Sequence, residues 1–243
     1  MKIIIVFKWS RNPQDVRVGV DGSVDWRGVK MAASDDDPAA MEIANAIAAG
    51  GEIVGLTVGD GDTAWAAARG AVRTVVVAEA QTYVNSSVTG AILSAAIRHV
   101  GDVDAVIIGD SAWDYGVVSA LAGQLGWPAL AGVVTATAEQ GSLHVTRKIG
   151  STSQVFEVNG PVVLAVSASR AEQNAPGMKE VLAARKKPVE QLALADLDLA
   201  PVAAANSRGT RFPDTPPAQI IDGTAPVIAC EQLLAALRAD GVL

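Results

Sequence analysis

The chain has 243 residues, half of them hydrophobic, and its 19 Lys+Arg against 26 Asp+Glu leave a net charge of −7. That length allows one large domain or two small ones, each with a proper core. The acidic balance, with an isoelectric point near 4.8, argues against a nucleic-acid partner. A lone cysteine, Cys230, excludes an internal disulfide and any cysteine-ligated zinc or iron–sulfur site. The apolar run in Met1–Phe7 is too short for a signal peptide, and no run reaches the ~18 residues of a membrane span. The expectation is a cytoplasmic protein without membrane insertion.

Lys2–Phe7 is a β-branched run that predicts a buried parallel strand. Val16–Val20 and Ser23–Trp26 flank Asp21-Gly22, which supplies the positive φ of a tight hairpin turn outside the main alternation. Asp35, Asp36 and Asp37 precede the Ala-rich amphipathic stretch Pro38–Ala49 and read as its cap and N-terminal charge. Glu52–Val58 is the next strand, and Gly59-Asp60-Gly61-Asp62 turns into a helix over Thr63–Arg69. Thr74–Ala78 (strand), Ser87–Val100 (helix), Ala105–Gly109 (strand) and Tyr115–Leu125 (helix) repeat the pattern, the last helix closing at Gly126. Strands joined by helices of this length predict a parallel sheet with right-handed crossovers.

After Ala129 the pattern changes. Val133–Thr137, Leu143–Ile149 and Gln154–Val158 are closely spaced strand-like runs that predict a small antiparallel sheet, and Pro161–Ser167 is another buried strand. Ala175–Lys187 reads as a basic helix, and Pro188–Asp214 as a loop with little core-forming sequence. Ile220-Ile221 predicts a strand and Thr224–Leu237 an amphipathic helix with Cys230 on its apolar face, as core. This C-terminal arm either packs on something else or folds back on its own domain.

Gly59-Asp60-Gly61 sits where a phosphate-binding turn would sit. It lacks the third glycine of a dinucleotide fingerprint and offers two carboxylates to an anion, so it reads as a structural turn. There is no Walker lysine, nucleophile elbow or metal-binding histidine pair, and His99 and His144 have no sequence-local partner. A non-catalytic protein is the expectation. Trp9, Trp113 and Trp127 fall on the side where open α/β sheets bind ligands, and Trp9 and Trp113 are placed to line one crevice. They read either as aromatic plugs or as a stacking surface for an adenine or flavin ring.

The chain resembles the beta subunit of electron transfer flavoprotein over nearly its whole length. The resemblance rests on Ile4–Lys8, Asp37-Pro38, Val54–Gly59, Ala66–Val75, Asp104–Ser111 and Leu125-Gly126-Trp127-Pro128. It continues through Arg147, Gln154 and Pro161 to Pro176–Pro188 and the closing stretch Gly223–Leu243. It implies a parallel doubly wound α/β sheet of the adenine-nucleotide-binding (HUP-like) type, with a small antiparallel excursion and a C-terminal arm. Residues 1–190 would be the nucleotide-binding-type domain and residues 191–243 the arm that packs on a partner subunit. It also implies a heterodimer with an alpha subunit that holds a redox-active FAD. The relay would run between a flavin-dependent dehydrogenase, the acyl-CoA type being one candidate, and an acceptor.

By matching positions, the resemblance places a nucleotide, AMP in the ordinary branch or a second FAD in the bifurcating branch, on a site of four segments. These are Val6; Asp37, Pro38, Ala39 and Ala40; Val58; and Ile108, Gly109, Asp110, Ser111, Ala112, Trp113, Asp114, Tyr115, Gly116, Val117 and Val118. The chain departs from the family at Asp37, where Asn is usual, and in a shorter loop after the fourth strand. It departs again at Ser169–Glu172, where the dehydrogenase anchor would stand and for which Met178 is a substitute. The competing readings are a stand-alone adenine-nucleotide binder of universal-stress type, which shares the topology, and a small nucleotide hydrolase using Asp35–Asp37.

Overall fold

The computed structural model describes residues 1–80, 85–110, 114–168, 175–199, 201–203, 208–214 and 218–243, and of Tyr115 the backbone only. Met1–Arg17 with Val24–Arg208 form one compact unit, and Val18–Ser23 with Gly209–Leu243 a second, smaller one.

In the first unit the chain runs β1 (Lys2–Val6), α1 (Asp37–Ala48), β2 (Glu52–Val58), α2 (Ala64–Ala68), β3 (Arg73–Val77), α3 (Ser86–Val100), β4 (Ala105–Gly109) and α4 (Tyr115–Leu125). It continues through β5 (Ala129–Glu139), β6 (Ser142–Ile149), β7 (Thr152–Val158), β8 (Val162–Val166), α5 (Met178–Ala184) and β9 (Val189–Gln191). The strands form one nine-stranded sheet in the order β7-β6-β5-β8-β4-β1-β2-β3-β9. From β8 to β9 every pairing is parallel.

Side-chain alternation along β1 divides the core. Ile3, Ile5 and Phe7 face Met41, Ala44 and Ile47 of α1, while Ile4 and Val6 join Ile92, Ile97 and Leu121 of α3 and α4. Helices therefore cover both faces, the doubly wound arrangement expected from the strand–helix alternation. α4 ends where Gly126 takes a left-handed φ of 70°, a conformation glycine adopts without strain.

The antiparallel strands are continuous with the main sheet. The start of β5 pairs parallel with β8 (Val163 opposite Ala129), and its remainder pairs antiparallel with β6 (Val145 opposite Ala136). The register shifts near Gly132, at φ 70°, where one long strand changes partners.

Two expectations for the last part of the first unit need correction. Pro188–Asp214 is not merely a loop: Val189–Gln191 pairs with Thr74–Val76, and Leu192 and Leu197 are buried in the α3–α4 side of the core. The basic helix is shorter than its sequence run, and beyond its end Lys187 Nζ donates to the carbonyls of Ala67 and Ala71, both at 2.8 Å.

In the second unit the Asp21-Gly22 turn forms, with Gly22 at φ 79° and Asp21 Oδ1 accepting from the Ser23 amide (3.0 Å) and hydroxyl (2.7 Å). Ile220-Ile221 is not a strand; Ile220 is 92 % exposed. The last helix, α6 (Pro226–Ala239), begins after Asp222 accepts from the amide and hydroxyl of Thr224, each at 2.9 Å. No residue of α6 is buried, so Cys230, expected in a core, is exposed. Among the described residues no helix is long and apolar enough to cross a membrane.

Candidate functional site

The strand order reverses between β1 and β4: β2 and β3 lie outward on one side of β1, and β4 and β8 on the other. Such switch points open a crevice beyond the carboxyl ends of the strands. A cleft of about 680 Å³ lies there. Val6, Val58 and Ile108 from the strand ends, with Leu93, Val117 and Val118 from α3 and α4, give it an apolar floor. One wall is the start of α3 (Asn85, Ser86 and Thr89) and Asp114 before α4. The other is the segment after β1, with Lys8, Trp9, Arg11 and Pro13, joined by Trp26.

Asp37 fixes the base of this cleft. It is 1 % exposed, and its Oδ2 accepts from the amides of Lys8 and Ser34, both at 2.9 Å, tying the end of β1 to the start of α1. Burial pushes its carboxyl up to about 6, against the pull of those amides and of the nearby Lys8 charge. Gly109 permits the approach: a Cβ there would lie 2.8 Å from Asp37 Oδ1 and 3.0 Å from Asp36 Cβ. Burial also lowers the Lys8 ammonium, opposed by Asp114, whose carboxylate lies 3.8 Å away, and by Asp37.

The expected N-terminal cap of α1 is not made by a side chain. Asp36 stands at the cap position without a capping hydrogen bond, and its carboxylate accepts from the Ala168 amide at 2.7 Å instead. Asp110 is similarly engaged, accepting from the Gly132 amide (3.1 Å) and the Ser167 hydroxyl (3.3 Å). Both carboxylates hold the segment after β8 against the sheet. Burial raises the Asp36 carboxyl, and repulsion from Asp110 adds to that.

Of the site residues taken from the resemblance, Val6, Asp37, Val58, Ile108, Gly109, Asp114, Val117 and Val118 come together in the cleft. Ala40 is instead buried in the core on the α1 side of the sheet, Ala39 packs against that core, and Pro38 is half-buried. Gly116 brings the start of α4 against α3, since a Cβ there would meet Ser86 Oγ at 2.5 Å. Ser111, Ala112 and Trp113, and the side chain of Tyr115, lie outside the described residues. Trp127 packs against the α3–α4 side of the core.

The sequence reading missed Trp26, Arg11, Asn85 and Ser86. Asn85 carried a signal: it is the N-cap of α3, its Oδ1 accepting from the Val88 amide at 2.9 Å. Its Nδ2 is buried without a hydrogen-bond partner, an expensive state that an acceptor would relieve. Ser86 Oγ donates to Asp114 Oδ1 at 3.1 Å.

The Gly59–Asp62 turn is tied into the fold, the Gly59 amide donating to the Val77 carbonyl at 2.9 Å. Gly61 donates to the Gly59 carbonyl at 2.9 Å, and Asp62 Oδ1 accepts from the Ala64 amide at 3.0 Å. Among the described residues no three His, Cys, Asp or Glu side chains gather as a metal site.

Fold and site together define a doubly wound α/β protein with a cleft at the switch point of its sheet. A family model, the electron transfer flavoprotein domain, matches residues 23–197. The chain belongs to that family.

Proposed function

We propose that the chain is the beta-type subunit of an electron transfer flavoprotein, joined to an alpha-type subunit that carries the redox-active FAD. The pair relays electrons between a flavin-dependent dehydrogenase and an acceptor, and this subunit's part is positional rather than catalytic. Its own cleft takes an adenine nucleotide: an apolar floor and two indoles suit the base, and Asn85 Nδ2 offers an unmatched donor. The observation that favours a subunit over a stand-alone binder is α6. It buries no residue yet exposes Val227, Ile228, Leu233 and Leu234, an apolar surface suited to a protein partner.

The test is co-expression with the alpha-type subunit, followed by purification and quantitation of released nucleotides. One FAD and one AMP per heterodimer is the expected result. Two FAD would replace the AMP assignment by the bifurcating one, and failure of the two chains to associate would overturn the subunit reading.

A further inference from the structure

The nine-stranded sheet ends in two unlike edges. β9, at one end, has three residues, follows Pro188 and carries Glu190 in an ion pair with Arg73 of the neighbouring strand. Shortness, a proline and a charge are common guards of an open edge. β7, at the other end, is longer and less protected. It runs for seven residues, Thr152–Val158, without proline or lysine, and its register against β6 is unbroken from Leu143 opposite Val158 to Ile149 opposite Thr152. Among the described residues no strand pairs with its outer side.

Which backbone groups stand open follows from the turn. Gly150-Ser151 is a two-residue loop with Gly150 at φ 58°, so Ile149 and Thr152 are its hydrogen-bonded closing pair. Counting by twos, Thr152, Gln154, Phe156 and Val158 turn their amides and carbonyls to β6, and those of Ser153, Val155 and Glu157 point away from the sheet. The side chains of these last three share one face, on which Val155 is 70 % exposed.

A second copy of β7 meets these groups in register. Laid antiparallel about a two-fold axis at Val155, the strand sets Val155 opposite itself, Ser153 opposite Glu157 and Gln154 opposite Phe156. Every outward amide and carbonyl of Ser153, Val155 and Glu157 then has a partner. Glu157, the one charged residue of the strand, meets a serine, so no like charges oppose each other. Lys148 of β6 is exposed, has no ion pair among the described residues and stands beside Ser153 on the same face. Two strand spacings, roughly 10 Å, separate it from Glu157 of the second copy, a span that a lysine and a glutamate side chain bridge together.

We infer that β7 is a self-pairing edge: two copies of this chain join through it, antiparallel about Val155, into one continuous sheet. The pairing is independent of what the cleft binds and of which subunit joins the chain.

The experiment is analytical ultracentrifugation of the full chain over a concentration series, with hydrogen exchange at both ends of the series. The parent is expected to pass from monomer to dimer as concentration rises. The amides of Ser153, Val155 and Glu157 gain protection as the dimer forms, whereas those of Gln154 and Phe156, bonded to β6, are protected throughout. Val155→Lys sets two ammonium groups against each other at the axis, and Val155→Pro removes an outward amide that β6 does not use. Each should weaken dimerisation about tenfold or more. Val155→Thr, neutral and β-branched, should retain it. Circular dichroism and the melting temperature of each variant separate lost pairing from lost folding. The inference is overturned by a chain that stays monomeric to the highest concentration, or by self-association that both Val155→Lys and Val155→Pro leave unchanged, which belongs to another surface. It is equally overturned if, in complex with the alpha-type subunit, the three outward amides are protected at concentrations too low for self-association, because the edge then belongs to that subunit.

Discussion

β4 and α6 are both apolar segments, and they treat their side chains in opposite ways. In β4, Ala105, Val106 and Ile107 are 0 % exposed, closed in by α1 on one face and by α3 and α4 on the other. In α6, Val227 is 73 % exposed, Ile228 55 % and Leu233 49 %, and nothing in the helix is buried. Apolar content alone therefore does not distinguish a buried segment from an exposed one. A parallel strand satisfies its backbone through neighbours and must be covered on both faces. A helix satisfies its own backbone and can stand with its apolar side uncovered until a second chain arrives.

The largest test of that contrast is a pair of truncations. Ile107→Ala removes a fully buried side chain and should cost about 2–5 kcal/mol in denaturant unfolding of the isolated chain. Leu233→Ala in α6 should stay within about 0.5 kcal/mol on the same measurement. Equal losses at the two positions would erase the distinction.

A second test concerns Asp37, whose buried carboxyl is pushed up to about 6 from the usual 3.8. A raised folded-state pKa means that the native protein holds this proton more tightly than the unfolded chain. Its contribution is therefore fully present below about pH 4 and is lost as pH rises through about 6. Relative to Asp37→Asn, the parent should lose on the order of 3 kcal/mol between pH 4 and pH 7. Asn can still accept from the Lys8 and Ser34 amides, so parallel pH profiles for parent and variant would refute the assignment.

The smallest effect is expected at the outer edge of the sheet. There Glu190 of β9 meets Arg73 of β3 and, at 2.9 Å, His99 Nε2 of α3. All three side chains are partly solvated, so Glu190→Gln should cost no more than about 1 kcal/mol in thermal or denaturant unfolding. A larger loss would mean that β9 is held chiefly by these ions rather than by Leu192 and Leu197.

Much of the body was legible because its signals are local. The apolar runs of β1, β2 and β4, the helix ending at Gly126 and the Asp21-Gly22 turn each carry their own chemistry. What stayed hidden depends on distant partners. Val189–Gln191 is three residues long with a glutamate at its centre, too short for any period, and becomes a strand only because β3 offers an open edge. Leu192 and Leu197 look like loop residues until that edge places them on the core. Asp35–Asp37 has the composition of a cap, yet Asp36 reaches Ala168 and Asp37 reaches Lys8, contacts that no local pattern encodes. Cys230 and its neighbours have the spacing of a core face, and spacing cannot say whether the covering surface belongs to the same chain. In the cleft, the strand-end residues were placed by resemblance, whereas Trp26 lies on an excursion whose path depends on the pairing of Ser10–Arg11 with Met31–Ala32.

The central claim, that α6 is the face of a subunit awaiting its partner, is tested most directly by hydrogen exchange of the Pro226–Ala239 amides in the isolated chain and in complex with the alpha-type subunit. The account predicts rapid exchange in the isolated chain and strong protection in the complex, with β4 protected in both. Equal protection of α6 in the two states would contradict it, because the helix would then already be covered by its own chain.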